Sequence, residues 1–223
     1  MTKNGFPVQT MRLFHGSAHV ISKPAYGSGK AYNDYGRGFY CTKSPEMAKE
    51  WAVREGTNGF ANEYLLHTEG LSLLDLTEYS IFHWLAILLE NRTVDYLSGM
   101  AGDAKDFLTE HYRLPYRTFD VICGYRADDS YFSFAQDFLN GVISVGQLER
   151  AMYLGELGVQ YMIRSRKAFA ALEFVGQEPA PARIWGPRRR QRDEEARREY
   201  FDRTKNHVDR EGIYILDLIR QEG

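Results

Sequence analysis

A chain of 223 residues with 43% apolar and 26% charged side chains can bury one sizeable core and is too apolar to stay unfolded. Its formal net charge of −2 argues against nucleic-acid binding along the whole length, and two cysteines are too few for a disulfide framework. The most apolar run, Ile81 to Leu89, falls far short of the roughly 20 residues of a membrane-spanning helix. With no apolar leader at the N-terminus, a reducing cytoplasm is the expected location.

In chain order, Met11 to His15 reads as a short strand that presents His15 next to Gly16. Asp34-Tyr35-Gly36-Arg37-Gly38-Phe39-Tyr40-Cys41-Thr42 follows as a Gly-x-Gly turn running into a strand from Gly38 to Thr42, which presents Tyr40. Ser44 before Pro45 starts a helix, with serine at the cap and proline at the first helical position. Strands are expected at Glu63 to His67 and Leu71 to Asp75. Ile81, Leu85, Leu88 and Leu89 then fall on one face of an amphipathic helix. A second helix over Ala104 to Tyr112 completes a helical insert at about 80–114.

Phe119 to Tyr125 reads as another strand, after which Asp128 and Asp129 either cap a helix near Ser130 or serve a site. Val145 to Tyr153 is helical, Val159 to Arg164 is a strand, and Ser165 to Leu172 is a short helix leading into Glu173-Phe174-Val175. Pro179, Pro181 and Pro187 place a boundary at Gln177 to Pro187, separating a domain over residues 1–176 from a segment over 177–223. That segment holds a charged helix from Arg188 to Lys205 with Glu194/Arg198 and Glu199/Arg203 at i, i+4. Beyond Gly212 it ends in an apolar patch of Ile213, Leu216, Leu218 and Ile219, expected to dock on the body or on a partner. Strands and clustered helices in this order imply an α+β domain rather than a doubly wound sheet.

A histidine and a tyrosine on neighbouring strands, each beside glycine, can hold a flat, amide-bearing ligand such as nicotinamide. Gly16 permits close approach to its backbone. Tyr40 offers a stacking face, which Tyr35, Tyr26 or Tyr32 could close from the other side. The alternative is an ordinary half-buried histidine beside a hairpin turn. Ser44 either contacts such a ligand or only caps its helix. His15 and His19 do not make a metal pair, because i, i+4 spacing needs a helix where a strand is expected, so no metal is expected. Cys41 and Cys123 read as core thiols. Arg183, Arg188, Arg189, Arg190 and Arg192, with no acid among them, form a basic patch that either grips phosphate or is a solvated helix start.

On His15-Gly16, Gly36-x-Gly38-Phe39-Tyr40 and Val159-Gln160-Tyr161 the chain resembles the ADP-ribosyltransferase superfamily, in its His-Tyr-Glu branch. It is most similar to a little-studied bacterial family with a Phe/Tyr-His-Gly opening, the Asp-aromatic-Gly-x-Gly-Phe-Tyr-x-Thr block, and a Gly-x-x-Ala-Asp-Asp block, here Gly124 to Asp129. The resemblance spans about Met11 to Val175. It implies a split antiparallel sheet core and transfer of ADP-ribose from NAD+ to a macromolecular acceptor, protein or nucleic acid. It also implies a toxin-like role controlled by a small antitoxin-like protein.

By the same resemblance His15 and Gly16 anchor NAD+ with Gly38 and Ser44 nearby, Tyr40 stacks on nicotinamide, and Gln160 positions the ribose. Gln160 stands where the branch has its catalytic glutamate. An amide carries no charge to support a developing cation and cannot act as a base. Either Glu156, Asp128 or Asp129 supplies a carboxylate, or the acceptor needs no base, or the chain is a silent NAD-binding module.

Overall fold

The computed structural model describes residues 9–53, 56–92, 99–127, 129–154 and 158–222. The chain folds as an α+β protein around two sheets. In the first, β1 (Thr10–Ser17), β3 (Gly59–His67) and β7 (Leu172–Ala180) lie in the order β1-β3-β7, all antiparallel. In the second, β2 (Phe39–Cys41), β6 (Val159–Ile163), β5 (Val121–Tyr125) and β4 (Leu73–Asp75) lie in the order β2-β6-β5-β4. The β4–β5 pair is parallel, which departs from the expected all-antiparallel core. That pair is linked by α2 (Ile81–Asn91) and α3 (Met100–His111), in keeping with the long crossover a parallel pair needs.

The edge strands β1 and β2 meet at a single bridge, with Phe14 N–H donating to Thr42 O at 2.8 Å and Thr42 N–H returning to Phe14 O at 2.9 Å. The faces of the two sheets pack through a shared core. Met11, Leu13, Tyr64 and Leu66 come from the first sheet, and Cys41, Val121, Cys123, Tyr161 and Ile163 from the second. The space between the faces is therefore filled, and the cleft opens at the β1/β2 seam.

The other face of the second sheet carries the largest apolar cluster. Here α2 is buried almost all round, from Ile81 and Trp84 to Leu89, so the helix expected to be amphipathic is instead a core helix. α4 (Asp129–Leu139) and α5 (Val145–Ala151) complete that layer. Both cysteines are buried, and burial pushes the Cys123 thiol up to about 12.

The expected linker from Gln177 to Pro187 is also corrected. Gln177 to Ala180 finish β7 in register with β3, and α7 (Ala182–Tyr200) starts at once. The β7 strand carries a bulge at Val175, which lets its end continue along β3. Of the two anticipated i, i+4 pairs, Glu199–Arg203 forms at 2.9 Å; a further pair that was not anticipated, Asp193–Arg197, forms at 3.0 Å. α7 is more than a solvated helix. Trp185 packs with Ala52 and Val53, while the Tyr200 ring stacks 3.8 Å from Phe134.

The chain then returns to α5. The buried Gln147 amide donates to Thr204 O at 2.8 Å and His207 O at 2.6 Å, and Ser144 Oγ donates to Asp209 at 2.7 Å. α8 (Ile215–Glu222) docks on the body through the fully buried Ile215, with Leu218 and Ile219 against the main core. No helix of the described residues is long and apolar enough to cross a membrane.

Candidate functional site

A cleft of about 830 Å³ opens beside the seam, within the 300–1,000 Å³ range of small-molecule sites. Its walls are His15 and Gly16 of β1, Gly38, Phe39 and Tyr40 leading into β2, and Gln160 of β6. The loop from Ile21 to Asn33 forms one side. Trp51 of α1 (Pro45–Ala52), Arg126 after β5 and Arg189 of α7 form another. The folded chain thus brings His15, Tyr40 and Gln160 to one cavity from strands that are distant in sequence.

His15 bridges the two sheets. Its Nδ1 lies 2.6 Å from Tyr40 O, a pure acceptor, so Nδ1 carries the proton. Nε2 of the neutral ring is then an acceptor in a cleft-lining side chain. Burial lowers the His15 pKa from its ordinary value, and the bond to Tyr40 O opposes this more weakly. The ring rests 4.2 Å from that of Phe39. Tyr40 is fixed at its far end, its hydroxyl donating to Gly36 O at 2.7 Å and accepting from Tyr35 N–H at 3.0 Å. Gly36 makes that turn with φ of +83°, which a side chain would strain. Burial pushes the phenol upward, so it stays protonated and the ring acts as a neutral platform.

Gln160 is 4% exposed. Its Nε2 donates to Asp34 Oδ2 at 2.6 Å and to Tyr125 O at 3.3 Å. Asp34, also buried, accepts from Ala127 N–H on the same oxygen at 2.9 Å. Its other oxygen accepts from Arg92 Nε at 2.8 Å and Nη2 at 2.7 Å. Four donors therefore occupy the carboxylate, whose charge is matched by one guanidinium. The carboxylate serves to hold Gln160 and Arg92 and has no lone pair to spare for a base. Because Asp34 and Tyr125 O both accept, position 160 requires a donor, which an amide supplies and a carboxylate does not.

The remaining expected residues fall outside the cleft or do different work. Tyr35 is buried beneath Tyr40, ring centroids 6.3 Å apart, with its hydroxyl donating to Tyr125 O and accepting from Trp84 Nε1 at 3.2 Å. It braces the platform from below rather than closing the cleft. Tyr26 and Tyr32 are exposed on the loop, Tyr26 under the Arg166 guanidinium at 4.3 Å. Ser44 Oγ accepts from Met47 N–H at 3.0 Å, the helix-cap arrangement. Glycine at 16 is required by packing, because a Cβ there would lie 2.0 Å from Ala48 O of α1. A Cβ on Gly38 would likewise meet Met162 Sδ at 2.2 Å. Asp128 and Glu156 lie outside the described residues, as does the side chain of Asp129, whose backbone begins α4.

The residues that sequence reasoning passed over are Asp34, Arg92, Arg126, Trp51 and Lys30. Asp34 opens the Gly-x-Gly block and Arg126 lies in the Gly124 block, so both stood inside motifs without an assigned role. Arg92 follows α2 with no local signal. Together Lys30, Arg92, Arg126 and Arg189 set four cationic side chains against the one carboxylate of Asp34 in the described lining. Such a wall favours a polyanionic ligand.

No curated protein and no solved structure matches the chain. Residues 11–174, about three quarters of its length, match a family described as "Protein of unknown function (DUF3990)", so the chain belongs to the DUF3990 family.

Proposed function

We propose that the protein is an NAD+-dependent ADP-ribosyltransferase that modifies a macromolecular target. The observation that supports this reading best is the convergence of His15, Tyr40 and Gln160 on one cleft with a cationic wall. In this reading the sheets are the split core of that superfamily, joined at the β1/β2 seam. His15 Nε2 accepts a hydroxyl of the adenosine ribose, and Tyr40 stacks on the nicotinamide ring. Gln160 offers Oε1 as an acceptor for the nicotinamide ribose hydroxyl, while its bonds to Asp34 and the Tyr125 carbonyl use Nε2.

The bond from ribose C1′ to the nicotinamide nitrogen breaks, and nicotinamide leaves with the electron pair. The acceptor nucleophile forms the new bond to C1′ and yields its proton to water. Among the described residues, positive charge at C1′ is supported only by dipoles, because Asp34 is already matched by Arg92. An acceptor that is itself a good nucleophile suits such a site. A toxin-like activity on a cytoplasmic target, restrained by a small partner protein, agrees with the resemblance.

The neutral Gln160 and saturated Asp34 favour a second reading, an NAD-binding module without turnover. Incubation with labelled NAD+ and a cell lysate separates the two. Transfer of label with release of nicotinamide, lost by at least about 100-fold in Tyr40→Ala, is the expected result. Saturable binding with no release under any condition would establish the silent module instead.

A further inference from the structure

The C-terminal end of α1 gathers guanidinium groups from two different parts of the chain. Arg126, from the segment after β5, lies with its guanidinium 4.5 Å from the Trp51 ring centroid. Arg189, from α7, donates from Nη1 to Val53 O at 3.2 Å. Both side chains line the cleft, and Lys30 lines it from the loop. Trp51 lines it too, and its buried Nε1–H has no acceptor among the described residues. A helix C-terminus attracts cations weakly, and that alone would account for one arginine. It does not account for the convergence of a second at the mouth of a cavity, beside a donor that lacks an acceptor.

Arg189 is not held loosely. α7 is clamped along α1 by Arg192, whose Nη2 lies 2.7 Å from Glu50 Oε1, and by Trp185 packed on Ala52 and Val53. Lys49 adds a contact across the Trp185 ring at 5.2 Å. The helix begins after the segment that defines the family, which ends at residue 174. The basic stretch at Arg188 to Arg192 thus contributes one residue to the cleft, one to the clamp, and Arg188 to the Trp185 ring at 4.7 Å.

We infer that Arg126 and Arg189 form a diphosphate-binding site completed by α7, for the diphosphate of a dinucleotide ligand. This deepens the transferase reading and rests on it for the rest of the ligand. Two guanidinium forks match the bridging and terminal oxygens of a diphosphate better than those of a monoester. Helix α7 is in this sense part of the binding site.

The test measures binding of inorganic pyrophosphate, NAD+ and nicotinamide riboside to the full chain by calorimetry. Arg126→Gln and Arg189→Gln are each expected to weaken pyrophosphate and NAD+ binding about tenfold. Nicotinamide riboside, which has no phosphate, should bind both variants as it binds the parent chain. Arg198→Gln, on the same helix away from the cleft, should change nothing, and unchanged thermal melts would verify folding. Equal affinity of parent and variants for pyrophosphate and NAD+, or no binding of either, would overturn the site. So would a single-stranded oligonucleotide that binds through Arg189 while pyrophosphate does not. Pyrophosphate binding that depends on the arginines without any nicotinamide release would leave the site standing and remove the transferase reading. NAD+ turnover untouched by both substitutions would do the reverse.

Discussion

At the residue scale, the glutamine at position 160 has a local reason. Its neighbours Asp34 and the Tyr125 carbonyl both accept hydrogen bonds, so a glutamate there would face a carboxylate oxygen now 2.6 Å from the amide nitrogen. Gln160→Glu is therefore expected to destabilise the fold by about 1–3 kcal/mol at pH 7, measured by urea unfolding. The introduced carboxyl would have its pKa raised, so its protonated form, a donor again, is the tolerated one. Stability should recover as the pH falls towards 5 and decline as it rises; a flat response would refute the donor argument.

His15 has the opposite sign. Its folded pKa lies below 6.5, so the unfolded chain takes up the proton first as acid is added. The stability it contributes is complete above pH 6.5 and is lost as the pH falls from there towards the lowered folded value. A melting series from pH 8 to 5 should show that loss in the parent chain and a smaller one in His15→Asn. Sequence alone brought out His15, Tyr40 and Gln160, because short motifs carry them. It said nothing of the four donors on Asp34. Those come from the residue after α2, from β6 and from the chain after β5, and such a meeting is created only by folding.

At the scale of elements, the strands and caps were legible because their signals are local. Ser44 with Pro45 starts α1; the capping box of Ser144 and Gln147 at α5 is an equally local signal that went unread. The prolines near residue 180 misled for an equally local reason. Pro179 sits on the edge strand β7, where a missing N–H costs little, and Pro181 is the cap of α7. The burial of Trp84 and Leu88 in α2 could not be read either, since an apolar helix looks the same whether it decorates a core or is one. The α1–α7 clamp is testable at this scale. Glu50 is 3% exposed, and Arg192→Leu would leave its charge buried and unmatched. A loss of about 3 kcal/mol in chemical denaturation is expected, and a smaller one for Glu50→Gln, which keeps a neutral hydrogen-bonding group.

At the scale of the whole molecule, the C-terminal segment packs into the main core through Tyr200 and Ile215. A chain ending at Pro181 would lose the Tyr200 stack on Phe134 and leave the buried Gln147 amide without the carbonyls of Thr204 and His207. Its melting temperature should fall by about 10 °C or more, with exposed apolar surface detectable by dye binding. A truncated chain that melts like the parent would show the segment to be an appendage after all.

The bridge between Phe14 and Thr42 has a mechanical meaning. Two backbone hydrogen bonds there and the His15–Tyr40 bond beside them are stitches along one seam, and the two stiff sheets extend away from it. The side chains packed between the sheet faces keep the sheets from swinging about that line. His15 and Tyr40 therefore keep their spacing, and Arg189, tied to Val53 O at the end of α1, is held on a wall of the same cleft. A ligand must fit a slot whose shape is set before it arrives.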